Sequence, residues 1–149
     1  MASQILVPLD GSPLGNNALT VALEENPDAE IHVLHVVDPS EPGYSYASLG
    51  VDAYDSPQHG SEAWYDRADE YAEELFETAR EQAADHDVDL TTETRVGRPD
   101  REIIRYGESN DIDHVILGSH GRDRESQTLV GGVAEAVVFR SPVRVTLVK

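Results

Sequence analysis

Residues 5–13 read ILVPLDGSP, and this stretch decides the fold. Its first five residues are nearly all apolar and predict a short buried strand, and the Asp10-Gly11 pair that follows predicts a turn. Ser12 has the hydroxyl of a helix N-cap, and Pro13 has the fixed φ that suits a first helical residue. A buried strand that leads through a tight turn into a helix is the opening of a β-α-β unit.

The next elements continue this alternation. A helix after Pro13 is predicted from an apolar stripe at helical spacing and ends before Pro27. The stripe consists of Ala18, Leu19, Ala22 and Leu23. A second apolar run at residues 31–37 predicts the next strand. Two apolar strands joined by an amphipathic helix indicate a parallel sheet that helices cover on both faces.

The rest of the chain predicts three more helices and three more strands. A long loop without sustained periodicity covers residues 38–60. A long acidic helix is expected at 62–85, a strand near an edge of the sheet at 88–96, and a short helix capped by Asp100 after it. A strand at 114–117, a helix at 133–139 and a last strand at 143–148 complete the chain. We therefore expect one domain over residues 1–149, an α/β fold with a doubly wound, five-stranded parallel sheet.

The charge balance disfavours several classes of function. The 149 residues include 11 Lys and Arg against 29 Asp and Glu, a formal net charge of −18. Such a surface repels nucleic-acid backbones and anionic membranes, so neither is expected as a partner. The carboxylates are spread along the whole chain, which is typical of a protein adapted to multimolar salt. A moderately acidic protein from an ordinary environment is the alternative.

Missing residue types exclude further chemistry. Lys149 is the only lysine, so no internal lysine is present for a Walker A loop, a Schiff base or an amine general base. The chain has no cysteine, which excludes disulfides, thiolate nucleophiles and cysteine metal sites. Residues 1–4 lead directly into the first strand without a basic or long apolar segment, so we expect no signal peptide, no membrane-spanning helix and a cytoplasmic location.

Glycines cluster at a predicted strand end, where open α/β sheets bind their ligands. Gly118-Ser119-His120-Gly121 follows the fourth strand, nine residues come next, and Gly131-Gly132 precedes a helix. Glycine lets backbone N–H groups approach an anion, and a helix N-terminus adds a favourable dipole, so the spacing suits a phosphate chain. Ordinary turns before helices also need glycine, so plain turn formation is the alternative interpretation.

Three motifs in this order resemble the universal stress protein family. They are Pro8-Leu9-Asp10-Gly11-Ser12, His35-Val36-Val37-Asp38 and Gly118-x2-Gly121-x9-Gly131, and the resemblance extends from Ile5 to Val148. It implies an adenine-nucleotide alpha-hydrolase-like sheet of order 3-2-1-4-5. It also implies a role in stress survival that is mostly non-catalytic, and commonly a homodimer paired through the last strand, Val143 to Val148.

The resemblance assigns residues to an adenine nucleotide, ATP or AMP with Mg²⁺. Asp10 would lie by the ribose and adenine, Val36 would contact adenine through its backbone, and the glycines would line the ribose and phosphates. The residues expected at the nucleotide are Pro8, Leu9, Asp10, Ser12, Val36, Gly118, Ser119, His120, Gly121, Arg122, Gly131, Gly132 and Val133. No catalytic residue and no metal-ligand set is expected.

Gly132 departs from the family's ATP-binding pattern, which has Ser or Thr at this position. Glycine keeps the N–H donor but loses a hydroxyl bond to charged phosphate, worth about 1.5–3 kcal/mol. AMP or ADP is then preferred over ATP if the γ-phosphate contact is the one lost. Two alternatives stay open: a nucleotide-free dimeric interaction module with a vestigial pocket, supported by Gly132 and Ala134, and a slow ATPase with a water held by Asp10 or His120.

Other polar and aromatic residues have structural explanations. His32 and His35 lie three apart on a strand, so they face opposite sides and cannot chelate one metal ion together. Aromatic side chains are concentrated in the long loop and at the start of the helix that follows it. We expect them either to stack over a base or to pack the loop onto the domain or a partner subunit. They are Tyr44, Tyr46, Tyr54, Trp64 and Tyr65.

Overall fold

A computed structural model describes residues 2–40, 58–120 and 131–149. The strands are β1 (Gln4–Pro8), β2 (Glu30–Val37), β3 (Leu90–Val96), β4 (His114–Gly118) and β5 (Arg144–Val148). The helices are α1 (Pro13–Glu25), α2 (Glu62–Ala84), α3 (Pro99–Ser109) and α4 (Gly132–Arg140). All strand pairs are parallel and the sheet order is β3-β2-β1-β4-β5, which confirms the predicted fold class. The predicted strands and the helices α1, α2 and α4 agree with these bounds to within two residues.

Alternate residues of the central strands feed two separate cores. Ile5 and Val7 of β1 pack with α1 and α2, whereas Leu6, between them, packs with α3 and α4. This alternation follows from the two-residue period of a strand, since successive side chains point to opposite faces. The helices therefore cover both faces of the sheet, and the strand order reverses between β1 and β4.

The first helix begins as its sequence predicts. Ser12 is the N-cap of α1, and its Oγ accepts a hydrogen bond from the backbone N–H of Gly15 at 3.2 Å. Pro13 occupies the first turn, where a missing N–H leaves no donor unsatisfied. The hydroxyl of Ser12 thus has a structural role in starting α1.

The start of α3 corrects one prediction. The N-cap is Arg98 and not Asp100, because Pro99 takes the first helical position and moves the boundary back by two residues. Asp100 is only 5% exposed. Its carboxylate accepts hydrogen bonds from Arg98 Nη2 at 3.0 Å and from Arg140 Nη1 at 3.1 Å. Its negative charge also suits the positive end of the helix dipole.

The two β2 histidines face opposite sides of the sheet, as expected. His32 contacts Tyr106 of α3, and His35 contacts Tyr71 of α2. Within residues 2–40, 58–120 and 131–149, no group of three or more His, Asp or Glu residues is placed to hold a metal ion. No helix in those same ranges is long and apolar enough to cross a membrane.

The two edges of the sheet differ in chemistry. On β3, Glu93 forms an ion pair with Arg95, and Thr92 accepts a hydrogen bond from Arg80 Nη2 of α2 at 2.9 Å. β3 is therefore an edge with charged and hydroxyl-bearing side chains, in agreement with the edge position expected for it. On β5, Val145 and Leu147 pack on the α3–α4 core, and Arg144 is the charged residue of the strand.

Candidate functional site

A cleft of about 520 Å³ opens at the carboxyl ends of β1, β2 and β4. Ten of the residues predicted for the nucleotide line it: Pro8, Leu9, Asp10, Ser12, Val36, Gly118, His120, Gly131, Gly132 and Val133. Ser119 is 3% exposed and does not line the cleft, while Gly121 and Arg122 fall outside the described residues. The structure thus brings together residues that are more than 120 positions apart in the chain.

The turn after β1 places the Asp10 side chain in this cleft. Asp10 Oδ1 accepts a hydrogen bond from the backbone N–H of Ser12 at 2.9 Å, so the carboxylate is fixed at the start of α1. The backbone of the same turn is bonded on its other side. His35 Nδ1 donates to the carbonyl oxygen of Leu9 at 2.8 Å, and Tyr71 Oη donates to that of Asp10 at 3.1 Å.

Gly118 lies where β4 meets the first turn of α1. A Cβ atom at Gly118 would lie 2.8 Å from Leu14 Cβ and 2.9 Å from the Leu14 carbonyl carbon, too close for any side chain. Close packing of α1 on β4 therefore requires glycine here, whether or not a ligand binds. Packing alone is thus sufficient to explain glycine at this position.

Backbone hydrogen bonds connect the end of β4 to the start of α4. The N–H of Ser119 donates to the carbonyl of Val148 at 2.9 Å, and the N–H of Gly131 donates to that of Ser119 at 2.6 Å. Gly131 is the N-cap of α4, so the first turn of that helix begins beside the cleft. A helix N-terminus at this point presents N–H groups and a positive dipole end, which suits a phosphate.

His120 lines the cleft next to the buried Ser119. Their Oγ and Nδ1 atoms are 3.4 Å apart, longer than the 2.6–3.2 Å, roughly, at which a base activates a hydroxyl nucleophile. Ser119 is also not among the residues that line the cleft. The pair is thus a contact between neighbouring residues at a distance longer than that of an activated hydroxyl.

One wall of the cleft is not indicated by any of the sequence motifs. It is formed by Arg98, Pro99 and Asp100, with Asp38 beside it after β2. The Asp100 side chain is 7% exposed between two guanidinium groups, those of Arg98 and Arg140, which are 51% and 57% exposed. Their position in the sequence could have indicated them. Asp38 follows β2 and residues 98–100 follow β3, so they lie at the same carboxyl edge of the sheet as Asp10.

The charges of the described lining are unevenly matched. Three carboxylates, those of Asp10, Asp38 and Asp100, face one guanidinium, that of Arg98. Carboxylates accept hydrogen bonds from hydroxyl and amine groups, so the lining suits the sugar and base of a nucleoside. A triphosphate would add several negative charges here, and Mg²⁺ bridging it to Asp10 or Asp38 would offset the repulsion.

A doubly wound parallel sheet with a glycine-bordered cleft at its switch point is typical of α/β proteins that bind their ligands at the carboxyl ends of the strands. The family model for the universal stress protein family matches residues 1–149, and the chain belongs to this family.

Known relatives match this chain over nearly its full length. Universal stress protein MJ0531 of Methanocaldococcus jannaschii is 29% identical over 150 residues, covering 98% of this chain and 81% of that protein. The solved structure of MJ0577, a universal stress protein of the same organism, has a TM-score of 0.78 at 26% identity and covers 100% and 96% of the two chains.

Two more distant structures were solved with ligands. One is a universal stress protein in complex with cAMP (TM-score 0.66, 19% identity, 99% and 97% coverage). The other, from Archaeoglobus fulgidus, is in complex with dAMP (TM-score 0.65, 15% identity, 100% and 98% coverage). At these identities the likeness shows the fold alone.

Proposed function

We propose that this universal stress protein binds an adenine nucleotide in the cleft and acts in the cytoplasm of a salt-adapted organism as a regulatory stress-response protein. The observation that carries the proposal is the convergence on one cleft of ten residues that the sequence motifs single out. Two proteins with the same fold were solved with cAMP and dAMP, ligands that combine adenine with a single phosphate. The protein signals through its conformation or through a partner, and not through catalysis.

The chemistry of the lining suggests how each part of the nucleotide is held. Leu34, Val36 and Ile103 supply apolar surface for the adenine ring. The carboxylate of Asp10 accepts hydrogen bonds from the ribose hydroxyls. The N-terminus of α4, at Gly131 and Gly132, receives the phosphate.

Calorimetric titration tests this proposal. AMP, ADP and Mg-ATP are titrated into the protein in multimolar KCl, where saturable binding is expected. A Gly131→Glu variant should lose binding, because its carboxylate would occupy the phosphate position; the backbone φ of −69° at this residue accepts any side chain. Ala63→Glu is the matched control. Ala63 is exposed on α2, so this substitution adds the same charge outside the cleft lining.

The outcomes separate the nucleotide function from its alternative. Binding that Gly131→Glu abolishes and Ala63→Glu preserves supports the proposal. A folded wild-type protein that binds none of the three nucleotides contradicts it and favours a nucleotide-free interaction module. Loss of binding in both variants would also count against this site.

Hydrolysis is tested with the same protein. A non-catalytic role predicts that phosphate release from Mg-ATP stays at background and equals the rate of an Asp10→Ala variant. A wild-type rate clearly above that of Asp10→Ala would instead identify a slow ATPase.

We also propose that two copies pair through β5. Among the described strands, β4 is the one neighbour of β5, so the other edge of β5 is available for a second strand. In the last turn of α4, the helix that precedes β5 in the chain, Val138 and Phe139 are exposed by 42% and 80% and form an apolar surface. Two-fold pairing would cover both features. Light scattering in multimolar KCl should give twice the monomer mass, and a monomeric mass would contradict the pairing.

A further inference from the structure

Two aromatic side chains that lie outside the cleft hold the turn that carries Asp10. Tyr71 of α2 is 8% exposed, and its Oη donates to the carbonyl oxygen of Asp10 at 3.1 Å. His35 of β2 is fully buried, and its Nδ1 donates to the carbonyl oxygen of Leu9 at 2.8 Å. The two rings pack edge to face with their centroids 5.6 Å apart. Neither side chain lines the cleft, yet together they fix the turn's backbone.

Gly11 makes this contact possible. Its φ is +86°, a conformation that L side chains rarely adopt, and a Cβ atom there would lie 2.0 Å from Tyr71 Oη. The space that a side chain would need is thus occupied by the tyrosine hydroxyl. Only glycine at this position lets α2 reach the carbonyl of Asp10.

We propose that Tyr71, supported by His35, is a positioning residue for the nucleotide site. Tyr71 fixes the backbone of Asp10, and the N–H of Ser12 fixes its Oδ1 at 2.9 Å, so the carboxylate is held from two sides. A hydrogen bond to a ligand hydroxyl depends on distance and angle, and a carboxylate held in place loses little freedom when the ligand binds. The inference rests on the proposed nucleotide function and adds a residue that no motif indicates.

The supporting element is rigid. α2 packs its apolar face, which includes Ala72, Phe76 and Ala79, into the same core as Ile5 and Val7 of β1. Tyr71 lies next to this face, so the position of its hydroxyl is set by the core and not by the turn that it bonds. The turn therefore takes its position from the helix.

The test compares two tyrosines of the same helix and two nucleotides. Tyr71→Phe removes the hydroxyl at Asp10 and keeps the ring. Tyr65→Phe is the matched control, because Tyr65 packs on Trp64 with ring centroids 4.9 Å apart and does not line the cleft. Each variant is titrated with AMP and with 2′,3′-dideoxy-AMP, which lacks the ribose hydroxyls that Asp10 would bind.

Tyr71→Phe should raise the Kd for AMP about three- to tenfold, the effect of one neutral hydrogen bond. Its Kd for dideoxy-AMP should equal that of the wild type, and Tyr65→Phe should match the wild type with both ligands. Unchanged AMP binding in Tyr71→Phe would overturn the inference, and so would an equal loss for both ligands, which indicates a general structural role. If the wild-type protein binds neither ligand, both the proposed nucleotide function and this inference are wrong.

Hydrogen exchange supplies a readout without nucleotide. The N–H of Ser12 is bonded to Asp10 Oδ1, so its exchange reports how firmly the carboxylate is held. Tyr71→Phe should accelerate exchange at this amide, whereas Tyr65→Phe should not. Equal protection in the wild type and Tyr71→Phe would overturn the positioning role even if the protein binds AMP.

Discussion

Gly132 is the first residue of α4. No atom of the described residues lies within 4 Å of an ideal Cβ at this position, so their packing does not require glycine there. The residue lines the cleft beside the proposed phosphate position. Packing therefore requires glycine at position 118 but not at position 132. The lack of a hydroxyl at Gly132 matters for the proposed ligand site and not for the fold.

Gly132→Ser should tighten the binding of phosphate-bearing nucleotides roughly tenfold or more, because a hydroxyl bond to a charged group is worth about 1.5–3 kcal/mol. Adenosine, which has no phosphate, should bind equally to both proteins. Calorimetry with AMP, ADP and adenosine measures the difference. Gly132→Ala is the control for the higher helix propensity of a non-glycine residue, and an equal gain in Gly132→Ala would show that the hydroxyl is not responsible.

His32 is a buried histidine whose hydrogen bonds make the stability of the protein depend on pH. Its Nε2 donates to Gln4 Oε1 and its Nδ1 accepts from Tyr106 Oη, both at 2.7 Å. Burial lowers the pKa of His32 below 6.5, partly opposed by the charge of Glu30. The pKa of His114 is lowered too, by burial and then by Arg144. The folded state therefore prefers both imidazoles neutral.

The free energy of unfolding should fall as the pH drops below about 6.5. In this range the histidines of the unfolded chain become protonated, whereas those of the folded protein stay neutral because their pKa values are lower. The loss continues until the pH passes the lowered pKa of the folded state. His32→Asn should show a shallower decline between about pH 7 and pH 5, although it is less stable at neutral pH. Urea unfolding at a series of pH values measures both effects, and parallel profiles would contradict the assignment.

At the scale of elements, one carboxylate joins two helices. Asp100 in the first turn of α3 accepts hydrogen bonds from Arg98, before the helix, and from Arg140, the last residue of α4. These two helices pack on the same face of the sheet and form one wall of the cleft. The contact fixes the spacing of the two helices.

Asp100→Ala should lower the free energy of unfolding by about 1–3 kcal/mol, because it removes charged hydrogen bonds from a buried position. Arg140→Ala should cost less, about 1 kcal/mol or below, since its guanidinium is already 57% exposed and returns to water. Denaturation at constant high KCl measures both. Equal costs for the two variants would contradict a central role of the carboxylate.

At the scale of the whole molecule, the net charge of −18 makes the folded chain repel itself electrostatically. The outer face of α2 concentrates this charge: Glu70, Glu74 and Glu77 are exposed at helical spacings of four and three residues. Like charges at these spacings repel each other in dilute buffer. Salt shortens the range of the repulsion, from about 10 Å at 0.1 M to about 3 Å at 1 M.

The Tm should therefore rise steadily from about 0.1 M to multimolar KCl. Replacing Glu70, Glu74 and Glu77 with Gln should raise the Tm at low salt and leave it nearly unchanged at high salt. Differential scanning calorimetry over a KCl series checks this. A Tm that does not depend on KCl, or a triple variant with the same salt dependence as the wild type, would argue against adaptation to salt.

Much of this fold could be predicted from local patterns. The apolar runs of β1 and β2 and the cap at Ser12 are short-range signals, and the structure confirms them. The predicted cap of α3 is wrong because Asp100 has a typical cap side chain, whereas Pro99 at the first helical position places the N-cap at Arg98. The sheet order came from resemblance to a family, since no local pattern encodes which strands are neighbours.

The candidate site was only partly predictable for a related reason. Glycines and Asp10 stand out because they interrupt strand and helix patterns. Arg98 and Asp100 do not, and the Asp100–Arg140 contact joins residues 40 positions apart. Tyr71 looked like an ordinary core residue of α2, and only the folded chain shows its hydroxyl at the Asp10 carbonyl.

The unequal edges of the sheet limit how the protein can assemble. β3 carries the Glu93–Arg95 ion pair and a contact from Arg80, so an approaching strand would have to displace charged groups there. Among the described residues, β5 carries no such ion pair. If two copies pair through β5 as proposed, the joined sheet would end in a β3 strand on each side, and both outer edges would carry the Glu93–Arg95 ion pair. Such edges disfavour the addition of a third copy, so the assembly would stop at a pair and would not grow into a fibril.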